Sequence, residues 1–239
     1  MIPLGFFDPT MLLLIPPMLL LAYAQMKVKS TFSRYSEQSS SSGATGAEIA
    51  RRILRDNGLD DIPVEQTQGR LTDHYDPSDR VLRLSESTYG SRSLAAVGVA
   101  AHEAGHAVQD AQGYTPMKLR QGLAPAASFG NNLGFIIFFV GLLMSALFQM
   151  VPAGSIVMKT GIGLFALGTF FTVLTLPVEF NASSRALAAL EHGGYVTAQE
   201  KEHAEEVLNA AALTYVASAF MAAMMLLRLI LLFLMASRE

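Results

Sequence analysis

The sequence predicts a mainly α membrane protein in which four transmembrane helices carry a small α+β module. Of its 239 residues, 51% are hydrophobic and only 15% are charged, which is more apolar than a typical soluble domain. The apolar residues are concentrated in four blocks, each long enough to cross about 30 Å of hydrocarbon as a helix. The blocks cover residues 9–26, 133–151, 156–178 and 213–235.

Composition limits the classes of function. The formal net charge is -3, and there is no basic run of the kind that neutralises phosphates, so nucleic acid is excluded as a partner. The chain has no cysteine, so a tight metal site must use His, Asp or Glu. The residues outside the apolar blocks are about enough for one domain, and we expect a single domain over residues 1–239.

The first apolar block, residues 9–26, is near the lower limit for a span, and Pro16 and Pro17 are expected to kink it. A cleaved signal peptide is the alternative, because Ala22-Tyr23-Ala24 has the small-x-small form of a cleavage site. Against that alternative, no Lys or Arg precedes the block, whereas Asp8 does.

Between the first and second blocks the pattern changes twice. Residues 36–43 are rich in serine and indicate a flexible linker. Thr45 and Glu48 then form a capping box, which opens an amphipathic helix that Gly58 ends. Residues 63–85 alternate between turns and extended stretches, which predicts a small sheet or hairpin.

Two further helices are indicated by their caps. Ser93 is a suitable N-cap for a helix running to Gln112, and Thr197 with Glu200 forms a second capping box before the last span. Small residues in and just before the two middle spans would let neighbouring helices approach closely, although glycines are common in membrane helices in any case. These are Gly130, Gly134, Gly141, Gly161, Gly163 and Gly168.

The strongest chemical signal is His102-Glu103-Ala104-Gly105-His106. Residues four apart lie on one face of a helix, so both imidazoles can reach one Zn²⁺, with Glu103 beside them as general base. The motif lies inside an apolar helical run, and a rigid site requires such a packed helix. The alternative is two ordinary histidines on a partly buried helix.

A hydrolytic zinc site normally has three protein ligands and keeps its fourth position for water. Glu179 is the predicted third ligand, because a carboxylate at the end of so apolar a span needs a partner. The alternative is an interfacial carboxylate in contact with water. Glu191, His192 and His203 are competing candidates, but their segment is rich in charge and is typical of a solvated helical face.

With these residues in view, the chain resembles the bacterial YugP-type membrane zinc metallopeptidases, and more distantly the HtpX-type and CAAX prenyl endopeptidases. The resemblance rests on Leu71-Thr72-Asp73-His74-Tyr75-Asp76-Pro77, on Ala100 to Gln109 around the His-Glu motif, and on Pro177-Val178-Glu179-Phe180-Asn181-Ala182-Ser183. It implies a zincin-like catalytic module in segments of about 44–130 and 179–212, with Glu179 as third ligand.

The resemblance also implies Zn²⁺ as the cofactor, a protein or peptide substrate and a bacterial cell membrane as the location. One position departs from the pattern of the distant relatives, which carry Asp four residues beyond the ligand Glu. This chain has Ser183 there, so its hydroxyl would orient a zinc-bound imidazole without the charge that a carboxylate supplies.

Three weaker hypotheses concern substrate binding. His74 could donate a hydrogen bond to the oxyanion that develops during attack, or it could be a turn residue without a role. Arg185 could pair with a carboxylate or a substrate carbonyl, or lie at the headgroup level. Residues 81–85 could be an edge strand that pairs with extended substrate, or an ordinary strand of the sheet.

We therefore predict a membrane-bound zinc metalloendopeptidase. A catalytically silent scaffold with a structural zinc site is the alternative. A metal transporter would need polar ligands within its spans, but the clearly charged residue well inside them is Arg228, which is not a metal ligand.

Basic residues near the span ends favour a cytoplasmic site by the positive-inside rule. Lys27, Lys29, Arg34 and Arg185 stand on the catalytic side, against Lys159 and Arg238.

Overall fold

The computed structural model describes residues 8–237 and confirms the predicted class. Four of its helices are long and apolar enough to cross a membrane, and the strands form one small sheet. A 3₁₀ turn at Pro9–Leu14 opens the described chain. It is followed by α1 (Ile15–Ser36), α2 (Gly46–Asp56), β1 (Val64–Thr67), β2 (His74–Asp76), β3 (Val81–Ser85), α3 (Glu86–Tyr89), α4 (Leu94–Ala111), α5 (Thr115–Phe148), α6 (Val151–His192) and α7 (Ala198–Ala236).

The described chain forms two compact units. The apolar unit comprises the residues up to Tyr23, Leu119–Thr175 and the residues from Tyr215 onward. The sheet unit comprises Ala24–Lys118 and Leu176–Thr214. The expectation of a single domain over residues 1–239 stays a prediction.

In the apolar unit, α5 and α6 pack through their glycines. A Cβ atom on Gly134 would lie 2.8 Å from the Gly161 carbonyl oxygen, so the two backbones are in direct contact. Gly130, Gly141 and Gly168 make similarly close approaches, but a Cβ on Gly163 would meet open space. The expectation of close packing is therefore confirmed except at Gly163, as small residues permit in membrane helices.

The apolar unit also pairs the charge that the sequence places in the last span. Arg228 is 6% exposed, and its Nη2 donates to Asp8 Oδ2 at 2.8 Å. Its Nε donates to Thr10 Oγ1 at 3.2 Å. A guanidinium buried among apolar helices needs such partners, since an unpaired buried charge is costly.

In the sheet unit, β3 is the central strand. It pairs in parallel with β1 and antiparallel with β2. The hypothesis that residues 81–85 form an edge strand is therefore wrong, because both sides of β3 are already hydrogen-bonded. Leu82 and Leu84 of β3 are completely buried, and they pack in one core with Ile53 of α2 and Ala104 of α4.

Most predicted caps are confirmed. Thr45 and Glu48 form the capping box at the start of α2, and Gly58 follows that helix with a φ of +69°, which glycine adopts without steric cost. The Ser93 hydroxyl accepts the Ala96 N–H at the start of α4. The side chains of Thr197 and Glu200 each accept the backbone N–H of the other before α7.

Two local expectations differ from the structure. Pro16 and Pro17 lie in the first turn of α1, directly after the 3₁₀ turn, so they stand where the helix type changes inside the first candidate span, and the expected kink stays a prediction. The three later spans belong to helices longer than predicted, and α6 continues past Pro177 to His192.

The serine-rich segment is also not a free linker. Ser41 donates from its N–H and its hydroxyl to the Glu200 carboxylate, Ser40 is buried, and Ser39 forms a β-bridge with Ser93. These bonds replace the hydrophobic burial that the segment lacks.

Candidate metal centre

The two motif histidines lie one turn apart on α4. His106 is 7% exposed and His102 is half-buried. The helix is held at its start by the Ser93 cap and ends before Gly113, whose φ is +65°. Because α4 is buried along most of its length, the positions of both imidazoles are fixed by packing.

Glu179 of α6 meets both imidazoles. Its Oε2 atom lies 3.2 Å from His102 Nε2 and 3.5 Å from His106 Nε2, and it is 2% exposed. One possible ligand atom from each residue lies within 4.8 Å of the other two. The structure thus brings together the three predicted metal ligands; their role as ligands stays a prediction.

The spacing of these atoms fits a metal. Four-coordinate zinc has Zn–N and Zn–O bonds of about 2.0–2.2 Å, which places tetrahedral ligand atoms about 3.3–3.5 Å apart. The two distances from Glu179 agree with that spacing. Two imidazoles and one carboxylate also match the donor set of a hydrolytic zinc site.

Hydrogen bonds define the tautomer of His106. His106 Nδ1 lies 2.9 Å from Gln109 Oε1. The Gln109 amide nitrogen donates to the Val178 carbonyl at 2.8 Å and to Asn181 Oδ1 at 2.9 Å, so Oε1 must be the acceptor facing His106. The proton of His106 therefore sits on Nδ1, and its Nε2 lone pair faces Glu179.

His102 is oriented by the serine that replaces the expected aspartate. Its Nδ1 lies 3.1 Å from Ser183 Oγ, which can accept the Nδ1 proton and leave Nε2 for a metal. A hydroxyl acts here where a carboxylate commonly orients a metal-bound histidine. The geometry agrees with the expectation from the sequence at this position.

A polar chain extends from His106 to the surface. Asn181 Oδ1 accepts from Gln109 and also from Arg185 Nε at 2.7 Å. Arg185 Nη1 donates to Gln112 Oε1 at 2.6 Å. Arg185 is thus engaged by two amide oxygens, and it fixes Asn181 where Gln109 needs an acceptor.

Glu103 lies beside the three side chains but is held by another group. It is 9% exposed, and its Oε2 accepts the backbone N–H of Tyr75 at 3.0 Å. Oε2 is therefore turned towards β2.

Electrostatics at His106 reflect two opposed effects. Burial alone would lower the pKa of this imidazole, but the hydrogen bond that its cationic form donates to Glu179 and the charges of Glu103 and Glu179 raise the pKa overall. The nearby carboxylates therefore outweigh the effect of burial on this imidazole. A divalent metal bound there would supply a positive charge with the imidazole neutral.

The competing ligand candidates lie elsewhere. His192 is exposed, Glu191 is paired with Lys201, and the His203 ring stacks on Tyr35. None of the three belongs to the group of possible metal ligands found among residues 8–237.

His74, the candidate for the oxyanion, is exposed, and its Nδ1 lies 2.8 Å from the Thr72 carbonyl oxygen. That carbonyl can only accept, so the proton is on Nδ1 and Nε2 is unprotonated in the neutral ring. His74 would donate to an oxyanion only from its cationic form.

Sequence reasoning missed the roles of Gln109, Asn181 and Gly105. All three stand within the quoted motifs, so their positions were visible. Their contacts were not, because each joins α4 to α6 across a long stretch of chain.

Comparison with known proteins identifies a family. A family model described as "Putative neutral zinc metallopeptidase" matches residues 10–234. A relative from Bacillus subtilis (strain 168), named "Putative membrane protease YugP", is 47% identical over 212 residues, which cover 89% of this chain and 91% of the relative. No solved structure matches the chain.

Proposed function

The chain belongs to the neutral zinc metallopeptidase family, and from that premise we propose that it is a membrane-bound zinc metalloendopeptidase acting on proteins or peptides. The observation that supports this most strongly is the meeting of His102, His106 and Glu179 next to the carboxylate of Glu103. Four candidate spans agree with a membrane location.

We assign zinc binding to His102 Nε2, His106 Nε2 and Glu179. A zinc ion bound there would polarise the scissile carbonyl and lower the pKa of a bound water. The contributions of the chain are to keep both imidazoles in the Nδ1-protonated tautomer, through Ser183 and Gln109, and to exclude most solvent from the ligand atoms.

Glu103 is the general base in this proposal. Its Oε2 is held by the Tyr75 N–H, so Oε1 is the oxygen that accepts the proton of the attacking water. The water oxygen forms a bond to the carbonyl carbon, the C–N bond breaks, and Glu103 returns its proton to the leaving amine nitrogen.

We further propose that the site faces the cytoplasm. Lys27, Lys29 and Arg34 follow the first apolar block, residues 9–26, and lie in the second half of α1. The positive-inside rule assigns such residues to the cytoplasmic side. Lys159 counts against this orientation. Arg238, the other opposing residue, lies outside the described part of the chain.

The proposal is tested by proteolysis of an unfolded protein substrate with the detergent-purified wild type beside Glu103→Gln, with the zinc content of both recorded. We expect the wild type to cleave, and the variant to keep its zinc but lose cleavage by two or more orders of magnitude, as loss of a general base predicts. If both bind zinc and neither cleaves, a silent scaffold explains the chain better. Equal cleavage by both would indicate a contaminating protease.

A further inference from the structure

Tyr75 contacts the metal-site helix at two points. Its backbone N–H donates to Glu103 Oε2 at 3.0 Å, and its hydroxyl donates to Asp110 Oδ2 at 3.0 Å. Glu103 and Asp110 are seven residues apart, or about two turns, and so lie on the same face of α4. One residue of β2 is thus attached to α4 at both ends of this face.

The strand pairing explains why the Tyr75 N–H is available. β2 pairs with β3 on one side only, with His74 opposite Arg83, Tyr75 opposite Leu82 and Asp76 opposite Val81. In an antiparallel pair, successive residues direct their N–H groups alternately towards the partner strand and away from it. The Tyr75 N–H points away from β3, and Glu103 occupies the position that a further strand would take.

The strand itself is anchored on both sides of Tyr75. Before it, Asp73 accepts the N–H and the hydroxyl of Ser85. After it, Asp76 accepts Arg83 Nη1 at 3.0 Å. Tyr75 as a whole is 8% exposed and belongs to the core of the sheet unit, so the peptide that faces Glu103 has little freedom to move.

The hydroxyl is a permanent donor at neutral pH. Burial and the hydrogen bond to Asp110 raise the pKa of Tyr75 to about 12. The bond to Asp110 therefore persists over the whole range in which a peptidase of neutral pH would work, and it fixes the distance between β2 and α4.

Glu103 needs such a support because it adjoins a metal ligand in the sequence. A carboxylate next to His102 that could rotate would be able to reach a bound metal itself, and it would then no longer serve as a base. A single N–H on Oε2 stops that rotation and leaves Oε1 for the water.

We propose that Tyr75 is the positioning residue of this site: its peptide N–H aims the Glu103 carboxylate, and its hydroxyl bond to Asp110 holds that peptide in place. The inference rests on the proposed function, since it assigns Glu103 as the base. It also means that the free edge of β2 is engaged by the enzyme's own carboxylate at Tyr75, not by an extended substrate.

The kinetic test uses Tyr75→Phe, which keeps the ring and the peptide but removes the hydroxyl. We expect kcat to fall on the order of tenfold, as a small misplacement of a catalytic group does, with KM and zinc content unchanged. Tyr35→Phe is the matched control, because the Tyr35 hydroxyl also donates to a helix carboxylate, Glu206 Oε2, at 2.7 Å. A kcat within twofold of wild type, or a fall shared by Tyr35→Phe, overturns the proposal.

A second measurement does not depend on activity. Labelling with ¹⁵N-tyrosine gives amide signals for the seven tyrosines, and the signal that disappears in Tyr75→Phe identifies Tyr75. In Glu103→Gln a charged acceptor becomes neutral, so the Tyr75 amide should shift while the other six stay in place.

The two measurements separate the failures. An unmoved Tyr75 amide overturns the positioning role even if the wild type is an active, Glu103-dependent peptidase. If the amide shifts but cleavage does not depend on Glu103, the proposed function fails, and the positioning role falls with it.

Discussion

Gly105 and Ala182 lie so close together that a Cβ atom on the glycine would stand 2.7 Å from the Ala182 carbonyl oxygen. Real Cβ contacts essentially never fall below 3.0 Å, so α4 and α6 touch here through their backbones. Gly105 immediately precedes His106, and Ala182 follows Glu179 by one turn. The contact therefore sets the separation of the candidate metal ligands.

We predict that Gly105→Ala damages the metal site. The added methyl group meets backbone, which cannot turn aside as a side chain can, so the two helices must separate. Overpacking of this kind costs about 1–3 kcal/mol, and we expect a lower zinc content and lower activity. Metal analysis and thermal unfolding in detergent measure the two effects.

Gly98→Ala is the control for that variant, because it lies in the same helix. A Cβ there would meet the Ala204 Cβ at 3.5 Å, an ordinary contact, and alanine favours a helix over glycine by about 1 kcal/mol. Full zinc content in both alanine variants would show that close contact at Gly105 does not set the ligand distances.

Gln109→Leu should weaken zinc binding at the His106 side. Gln109 is completely buried, so water cannot replace the oxygen that accepts the His106 Nδ1 proton. Loss of such a partner typically lowers metal affinity by about 10–100-fold. Competition with a chelator measures the affinity, and an unchanged dissociation constant would contradict the role given to Gln109.

Ser183→Ala should weaken zinc binding less than Gln109→Leu does. Ser183 is half-buried, so in the variant a water molecule can accept the hydrogen bond from the Nδ1–H of His102. Ser184→Ala is the matched control, since that hydroxyl only bonds back to the Phe180 carbonyl within its own helix. Equal losses in both serine variants would argue against an orienting bond to His102.

Asp8→Asn should destabilise the apolar unit. The Arg228 side chain is 7% exposed and that of Asp8 18%, and breaking a largely buried pair costs roughly 3 kcal/mol because a charge is left without its partner. The double variant Asp8→Leu with Arg228→Leu should recover most of that loss. Thermal unfolding of the wild type, Asp8→Asn and the double variant measures both effects. A double variant with a Tm no higher than that of Asp8→Asn would contradict the buried ion pair as the cause.

Alkaline pH should remove the stabilisation contributed by Tyr75. Its folded pKa of about 12 lies above the ordinary 10.0, so the contribution is complete below pH 10 and is lost as pH rises towards 12. The difference in Tm between wild type and Tyr75→Phe should be constant up to about pH 10 and shrink above it. A difference that stays constant to pH 12 would show that the hydroxyl is not held as described.

Much of the architecture could be predicted from local sequence patterns. The capping boxes at Thr45 and Thr197, the N-cap at Ser93 and the four apolar blocks depend on neighbouring residues, so the sequence predicts them directly. The spacing of His102 and His106 predicts a shared face of a helix for the same reason.

Features that join distant parts of the chain could not be predicted from the sequence. The serine-rich segment has the composition of a linker, but Glu200, 159 residues away, binds it. The central position of β3 depends on its parallel pairing with β1, which a hairpin pattern in the sequence does not predict. The sequence pattern around Gln109 does not show whether its side-chain amide contacts α6 or is exposed to water.

The order of the three proposed ligands in the sequence also has a consequence during synthesis. His102 and Glu179 are 77 residues apart, and one complete candidate span and most of another are encoded between them. During synthesis the His-Glu motif is therefore made long before the third side chain exists. A chain interrupted before Glu179 lacks one of the three proposed ligands, so the proposed site is complete only after one whole candidate span and most of another have been made.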